Sequence, residues 1–408
     1  DGGEFFTPVS LVQVIVKKKE HDHDTVLDPP SGSGGMFAQS AHFIEKLHQN
    51  PRERATFYGL EKNATTMRLG KMNLAVHGLE GKINQAISYY QDPHELLGKA
   101  DYVMANPPFN TDEVDADKVK NDPRLPFGLP GVNKKKKVSN GNYLWISYFY
   151  SYLNAKGRAG FVMSSQASSA GRDEATVRRK LVETGAVDAM MAIRSNFFYT
   201  RTAPCELWFL DKGKPKERRN KVLMIDARHV YRKVTRKIFD FSPEQQANLT
   251  SIVWLYRGER QRYLDLVAQH LRDTLRAAEL CLEKADEEDV IWHPLRNVIE
   301  VVERALGGML PFVKKHEKQE PLKPIVLELR DALGLYGKHF QAFRETLTAL
   351  QTKPLIKEAK GGDRLAATNA ALHTASKEVE ALSELSHELV KEADRLHKLL
   401  GKVYDVCD

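Results

Sequence analysis

We predict an α/β fold, in which a doubly wound parallel sheet carries helices on both faces and an all-α C-terminal region follows. Two observations support this prediction. Across residues 1–240, short apolar runs rich in β-branched and aromatic residues alternate with segments of helical periodicity. Beyond residue 240 the strand pattern disappears, and helical patterns continue almost to residue 408. Because strands that alternate with helices pair in parallel, the first region predicts a parallel sheet.

The elements of residues 1–240 follow one another in a regular order. Apolar runs predict strands at residues 25–27, 56–60, 102–105, 159–163, 186–192, 205–210 and 222–225. Helical periodicity predicts helices at residues 9–17, 36–47, 64–77 and 144–153. The strands therefore end at loops that share one edge of the sheet, where α/β proteins bind their ligands.

The predicted second domain, residues 241–408, is helical. Ser242 and Pro243 form a helix start, because serine caps the first turn and proline fits its first position. A heptad pattern ends the chain, with Leu372, Val379, Ser386, Ala393 and Leu400 at one position and Ala375, Leu382, Leu389, Leu396 and Val403 three residues later. This helix packs on its own domain, or it joins a coiled coil with a partner chain.

Composition sets broad limits on function. The formal net charge of +7 favours polyanionic partners only weakly. The three cysteines are widely spaced, which suggests neither a metal site nor a disulfide framework and indicates a reducing, cytoplasmic compartment. No apolar run approaches the roughly 18 residues that a membrane span needs, so we expect no membrane partner.

The most informative motif is Asn106-Pro107-Pro108-Phe109, which follows the third predicted strand. Proline has no N–H to donate, so the strand ends here in a rigid tip. An amide and an aromatic ring bracket this tip, and together they suit a flat ring that bears an amine. A simple turn that ends the strand is the alternative explanation.

Two further motifs lie at strand ends. Asp28-Pro29-Pro30-Ser31-Gly32-Ser33-Gly34-Gly35, hereafter the glycine loop, follows the first strand. Its small residues allow close approach of a ligand, and Asp28 favours a cationic or hydroxyl-bearing ligand over a phosphate. Glu61 ends the second strand, where an acid accepts hydrogen bonds from ribose hydroxyls in doubly wound sheets.

The ordered motifs resemble the γ-type amino-methyltransferases of DNA, and more closely the modification subunit of Type I restriction–modification systems. The resemblance rests on Gly3-Glu4-Phe5-Phe6-Thr7-Pro8, the glycine loop, Glu61 and the Asn-Pro-Pro-Phe tip, and it covers residues 1 to about 260. It implies a Rossmann-like methyltransferase sheet. Matching stretches at Asn142-Tyr143-Leu144-Trp145 and Gly157-Arg158-Ala159-Gly160 add to its specificity.

The resemblance implies a role for each motif. S-adenosylmethionine is expected against Glu4, Phe5, Phe6, Thr7 and Pro8, with its methionine part in the glycine loop at Asp28, Gly32, Ser33, Gly34 and Gly35. Glu61 is expected to bind the ribose, and Asp92 is a weaker candidate beside the adenine ring. The tip, Asn106, Pro107, Pro108 and Phe109, is expected to receive a flipped target adenine and to carry the methylation of its N6, with no metal.

The family also implies partners. Double-stranded DNA is the expected substrate, and a separate specificity subunit is expected to read its sequence and to dock on the C-terminal helices. A restriction subunit and a second modification subunit are expected in the full complex. The family's N-terminal helical domain has no counterpart in this sequence, and Pro30, Ser31 and Val9 depart from residues common among relatives.

Three other functions stay open from the sequence. Methylation of cytosine N4 uses a similar amine, although that class usually carries serine or threonine at the position of Asn106. Methylation of a protein glutamine also uses an Asn-Pro-Pro-aromatic tip. An inactive scaffold that binds DNA or a partner is the third alternative, and the intact Asn106, Glu61 and glycine loop argue against it.

Overall fold

The structure is a computed structural model, and it describes residues 23–46, 50–197, 204–236, 239–282, 294–315, 319–352 and 364–407. The predicted cofactor segment at Glu4–Pro8 and the predicted helix at residues 9–17 lie outside these ranges. The chain divides into two compact units between Arg257 and Gly258. The first unit therefore includes the helix Pro243–Arg257, which the sequence pattern grouped with the helical region.

An eight-stranded sheet forms the centre of the first unit. Its strands are β1 (Asp24–Asp28), β2 (Ala55–Glu61), β3 (Gly81–Gln85), β4 (Ala100–Ala105), β5 (Leu153–Ser164), β6 (Val187–Ile193), β7 (Cys205–Asp211) and β8 (Leu223–Asp226). They lie in the order β3-β2-β1-β4-β5-β7-β6-β8. A separate two-stranded sheet pairs β9 (Arg232–Lys233) with β10 (Phe239–Asp240).

The sheet is mostly parallel, as predicted, but one strand that the sequence did not distinguish makes it mixed. β7 runs antiparallel to both of its neighbours, β5 and β6, while the other pairs are parallel. All residues of β7 except Glu206 are buried. Parallel and antiparallel strands that are buried on both faces have the same hydrophobic pattern. Periodicity therefore could not predict the direction of β7.

The sequence pattern also missed β3. This strand reads Gly-Lys-Ile-Asn-Gln, and only Ile83 is fully buried. Among the strands that the structure describes, β3 is the outermost on one side of the sheet and pairs with β2 alone. An edge position tolerates polar residues, and the apolar signal is correspondingly weak.

Helices cover both faces of the sheet, as predicted. The helices of this unit are α1 (Gly35–Lys46), α2 (Pro51–Arg54), α3 (Ala64–Val76), α4 (Ala116–Val119), α5 (Asn142–Tyr152), α6 (Gln166–Ser169), α7 (Arg172–Glu183) and α8 (Pro243–Arg257). One core packs α1, α3 and α8 against the sheet, and the other packs α5 and α7. The buried aromatic rings of α5 make it the largest single contributor to the second core.

The strand register brings the candidate residues to one edge of the sheet. β1 pairs in parallel with β2, with Asp28 beside Gly59, and with β4, with Leu27 beside Val103. On the β2 side of β1, Glu61 therefore lies two residues beyond the position that pairs with Asp28. On the β4 side of β1, Asn106 lies one residue past the end of β4. Neighbouring strands are about 4.8 Å apart, so the three positions share one ligand-sized region.

The second unit is helical and has its own core. Its described helices are α9 (Arg260–Leu280), α10 (Pro294–Lys315), α11 (Gln319–Gln351) and α12 (Arg364–Cys407). The heptad positions Leu372, Leu382, Leu389, Leu396 and Val403 are buried against the other helices of this unit. The seam is thus used inside the chain's own domain, the first of the two predicted arrangements. In the part of the chain that the structure describes, no helix combines the length and apolarity needed to cross a bilayer.

We expect Leu389→Ala to destabilise the helical unit by about 2–5 kcal/mol, the usual effect of removing a buried leucine side chain. Leu389 is fully buried in the seam, whereas its neighbour Val390 is 60% exposed. Denaturant unfolding of the full chain, followed by helical circular dichroism, measures the effect. Val390→Ala is the matched control and should change the unfolding free energy by less than about 0.5 kcal/mol. Equal effects of both substitutions would contradict the internal seam.

Candidate functional site

The glycine loop turns sharply between β1 and α1. Gly32 and Gly34 adopt φ angles of +54° and +81°, which only glycine adopts readily. The backbone N–H of Gly34 donates to the carbonyl of Ser31 at 2.9 Å, closing the turn. Gly35 begins α1 directly afterwards. The loop is therefore a compact backbone surface that leads into a helix N-terminus.

Neighbouring elements brace this loop. The Ser31 backbone N–H and hydroxyl both donate to the carbonyl of Leu60 in β2, at 3.0 and 3.2 Å. The Asn73 side chain on α3 donates to the carbonyl of Ser33 at 3.1 Å. A Cβ atom on Gly59 would meet the Ser31 hydroxyl at 2.6 Å, so β2 and the loop are in close contact. Ser31 is thus a packing residue of the loop.

Asp28 is a buried acid with an incomplete set of partners. The residue is 2% exposed, and its Oδ1 atom has no hydrogen-bond partner among the described residues. Burial, and secondarily the charge of Glu61, raises the pKa of the Asp28 carboxyl well above its usual range. A cationic or hydrogen-bond-donating ligand would satisfy this oxygen.

Glu61 ends β2 and is half-buried. Its Oε1 atom accepts a hydrogen bond from the backbone N–H of Asn63 at 2.7 Å, which fixes the carboxylate at the strand end. Asn63 in turn caps α3, since its side chain accepts from the backbone N–H groups of Thr65 and Thr66. The acid is therefore held by the turn that starts the next helix.

The Asn-Pro-Pro-Phe tip follows β4 directly. Pro107 is buried, Pro108 is exposed, and Asn106 and Phe109 are half-buried. Phe109 packs against both cores of the sheet. The Nδ2 atom of Asn106 is buried and finds no hydrogen-bond partner in the described part of the chain. Rotation of the side-chain amide would exchange Nδ2 with Oδ1. The Asn106 side chain can therefore donate a hydrogen bond to a ligand at this position or accept one.

The segment after β3 carries Ser88, which the sequence pattern did not assign, and Asp92, which it did. The Ser88 hydroxyl donates to the carbonyl of Pro29 at 2.6 Å and so ties the glycine loop to this segment. Asp92 lies farther along the same segment and is half-buried. Its carboxylate interacts with the hydroxyl of Tyr152. Ligands of α/β proteins bind at the carboxyl ends of strands. A prediction of β3 from the sequence would therefore have made the residues directly after Gln85 candidates for the site.

The edge of the sheet therefore carries two buried polar atoms, on Asp28 and on Asn106, that lack partners among the residues that the structure describes. Leaving a buried polar group unpaired costs about 1–3 kcal/mol, and more for a charged group. Native proteins keep few such groups, and functional sites are where they are expected. No group of three or more His, Cys, Asp and Glu side chains suited to a metal ion occurs within the described ranges. The arrangement suits an organic ligand with polar and cationic groups.

A family model described as N-6 DNA Methylase matches residues 1–270 of this chain. This match spans the whole sheet, the glycine loop and the tip. The chain belongs to the N-6 DNA methylase family. Membership accounts for the coincidence of these motifs at one edge of one sheet.

Curated relatives of this chain include methylase subunits of Type I restriction enzymes. The Type I restriction enzyme MjaIX methylase subunit of Methanocaldococcus jannaschii is 38% identical over 240 residues, which cover 58% of this chain and 42% of that protein. The Type I restriction enzyme HindI methylase subunit of Haemophilus influenzae is 33% identical over 251 residues, which cover 60% of this chain and 54% of that protein. The chain thus spans about half the length of the curated relatives it matches.

A solved structure has the same fold as the first unit of this chain. The methyltransferase subunit of a type I restriction-modification system from Streptococcus thermophilus superposes with a TM-score of 0.55 at 23% identity. The match covers 63% of this chain and 54% of that one. The similarity supports the methyltransferase-like sheet described above.

We expect Asp28→Asn to stabilise the ligand-free chain at pH 8, by about 1–3 kcal/mol, because it removes a buried charge that lacks a full set of partners. The pKa of Asp28 is higher in the folded than in the unfolded chain. The protonated Asp28 carboxyl therefore contributes most to stability at pH values below its pKa in the unfolded chain. This contribution is lost as the pH rises through its pKa in the folded chain. Thermal unfolding between pH 4 and pH 8 measures this.

The advantage of Asp28→Asn should shrink as pH falls toward about 4, the ordinary pKa of an unfolded aspartate. Asp226→Asn is a control, because Asp226 is exposed and pairs with Arg228 at 2.7 Å. Removing that pair should give no stabilisation at pH 8. An Asp28→Asn chain that is less stable than wild type at every pH would contradict the inferred cost of burial.

Proposed function

We propose that this chain transfers a methyl group from S-adenosyl-L-methionine to N6 of an adenine flipped out of DNA. It would act as the catalytic modification subunit of a Type I restriction–modification complex. The observation that carries the proposal is the half-buried amide of Asn106 at the carboxyl edge of the same sheet that holds Asp28 and Glu61. One buried polar atom of this amide has no partner among the described residues. Family membership and the Type I methylase relatives support it.

The tip would prepare the amine for reaction. The lone pair of an adenine N6 is delocalised into the ring, so the free amine is a poor nucleophile. The side-chain oxygen of Asn106 and the carbonyl of Pro107 would accept the two N6 hydrogens and draw the nitrogen toward tetrahedral geometry. Phe109 is half-buried, and its ring would stack on the extruded base, which is worth roughly 1–3 kcal/mol.

Extrusion of the base is required because enzymes cannot reach an exocyclic amine inside a stacked duplex. It costs a few kcal/mol of unstacking and unpairing. Much of the rate would then come from alignment, since the tip is rigid and braced by two cores. The rigid geometry of Pro107 and Pro108 keeps the acceptor groups in place before the base arrives.

The residues around the glycine loop fit S-adenosylmethionine. This cosubstrate carries an ammonium and a sulfonium, which match the buried unpaired oxygen of Asp28. When bound, it supplies an electrophilic methyl group. Glu61, fixed by Asn63 at the end of β2, would accept the ribose hydroxyls. Gly32, Ser33, Gly34 and Gly35 would offer the close backbone surface, with Glu4, Phe5, Phe6, Thr7, Pro8 and Asp92 as further proposed contacts.

The same proposal includes partners. Double-stranded DNA would be the substrate, and the exposed Lys134 and Lys135 would add favourable contacts with its phosphates. A specificity subunit would choose the sequence and dock on the helical unit, residues 258–408. A restriction subunit and a second modification subunit would complete the assembly. The outward faces of α11 and α12, with Leu327, Leu335 and Val390 exposed, offer apolar contact area.

Asn106→Ala should lower methyl transfer by about 100-fold or more, because one preorganised hydrogen-bonding group at a reaction centre is worth about that much. The assay uses the full complex with a specificity subunit, with methylated adenines mapped by sequencing of the host DNA. The dissociation constant of S-adenosylmethionine for the purified variant, measured by titration calorimetry, should stay within about twofold of wild type. The reason is that Asn106 would contact the N6 amine of the target adenine and not the methyl donor.

Asp28→Asn is the complementary variant in the same assay. It should weaken S-adenosylmethionine binding about tenfold or more, which is the loss of one charge-assisted hydrogen bond. Methylation by Asn106→Ala at the wild-type rate would contradict the assignment of the tip. A wild-type chain without saturable S-adenosylmethionine binding would favour an inactive scaffold instead.

A further inference from the structure

The residue directly after the tip has an unusual backbone conformation. Asn110 adopts φ +55°, in the left-handed region that non-glycine residues rarely occupy. Asparagine tolerates this region better than most residues because its short side chain can hydrogen-bond locally. The chain therefore turns sharply immediately beyond Phe109. Something must hold this turn, because Asn110 itself is exposed.

Asn142 holds it through a reciprocal pair of hydrogen bonds. The backbone N–H of Asn110 donates to Oδ1 of Asn142 at 2.8 Å, and Nδ2 of Asn142 donates to Oδ1 of Asn110 at 2.9 Å. Asn142 is 1% exposed, so water competes little for these bonds. Both bonds join residues that are far apart in the sequence, and together they fix the position and the orientation of Asn110.

A rigid element supports Asn142. It is the first residue of α5, and nearly every side chain of that helix is buried, including Tyr143, Trp145 and Phe149. The preceding Gly141 donates its backbone N–H to the carbonyl of Thr111 at 2.7 Å. A Cβ atom on Gly141 would come within 2.3 Å of the Thr111 hydroxyl, so only glycine permits this approach. The start of α5 thus holds two consecutive residues beyond the tip.

The tip is consequently fixed at both ends. On one side Ala105 pairs with Phe161 in the centre of the sheet. On the other side Asn142 holds Asn110. Only the four residues 106–109 lie between these anchors. Loss of either anchor would let the tip move relative to the rest of the site.

From this geometry we propose that Asn142 is a positioning residue for the methyl transfer. It acts through Asn110 to set the placement of the Asn106 amide and the Phe109 ring. The inference rests on the proposed function of the tip and adds a residue to it. Asn142 itself touches neither the amine nor the methyl donor. A displacement of about 1 Å in a reacting group can lower a rate by about 100-fold.

The test uses the complex with its specificity subunit and a duplex that contains the adenine methylated by the wild-type complex. Asn142→Ala should lower the single-turnover rate of methyl transfer by about tenfold or more. Binding of S-adenosylmethionine should stay within about twofold of wild type. With 2-aminopurine in place of the target adenine, the fluorescence gain on binding should fall, because Phe109 no longer stacks correctly on the extruded base.

Asn142→Asp is a nearly isosteric second variant, useful if the alanine variant does not fold. Its carboxylate accepts from the Asn110 N–H but repels the Asn110 Oδ1, whereas the protonated carboxyl satisfies both groups. The rate of Asn142→Asp relative to wild type should therefore rise as pH falls from 8 to 6. A purely structural contribution to folding gives no such pH-dependent recovery of rate at constant cofactor affinity.

Asn154→Ala is the matched control. Asn154 is also an asparagine with side-chain hydrogen bonds, to Asp101 at 2.9 Å and from the backbone N–H of Lys156 at 2.9 Å, but it lies at the opposite edge of the sheet. It should leave the transfer rate within about twofold of wild type. A wild-type rate in Asn142→Ala, or equal losses in Asn142→Ala and Asn154→Ala, would overturn the proposal. An inactive wild-type complex would instead count against the proposed function.

Discussion

The parallel register of β1, β2 and β4 is the constraint on which the site depends. It places the ends of three strands, at Asp28, Glu61 and Asn106, along one edge of the sheet. No loop has to reach across the molecule to assemble the site. Each functional segment begins where a strand ends and is then fixed by its neighbour: the glycine loop by Leu60 and Asn73, Glu61 by Asn63, and the tip by the start of α5. Rigid elements thus hold the polar groups in place before any ligand binds.

This arrangement is in tension with stability. Asp28 and Asn106 each keep a buried polar atom without a partner among the described residues. Burial, and secondarily the charge of Glu61, raises the pKa of the Asp28 carboxyl. Two extensive cores pack the helices of this unit against the sheet and supply most of its buried apolar surface. A ligand that paired with the two polar atoms would remove the cost of burying them. The two cores meet at Phe109, so the aromatic ring of the tip is also part of the packing.

Most strands and the order of the motifs could be predicted from the sequence, because buried strands such as β4 and β5 carry a strong apolar signal. The edge strand β3 could not, since a single buried residue, Ile83, gives no periodicity. The antiparallel direction of β7 has no local signature either. At the candidate site, residue types pointed to Asp28, Glu61 and the tip, whereas the contacts of Asn142, Asn73 and Ser88 with distant segments could not be read from the sequence. The location of S-adenosylmethionine and the roles of its proposed contacts stay predictions.

A crystal structure of this chain with sinefungin, an amine analogue of S-adenosylmethionine, would show where the methyl donor binds. We expect the analogue at the carboxyl edge of the sheet, with its α-amino group on Asp28, its ribose on Glu61, and the amine that replaces the methyl-bearing sulfonium facing Asn106. A cavity of about 390 Å³ lies near the amino ends of β4 and β5, lined by Lys156, Arg158 and Lys214 among others. Binding of the analogue in that cavity, with the carboxyl edge left free, would contradict the proposed location of the methyl donor.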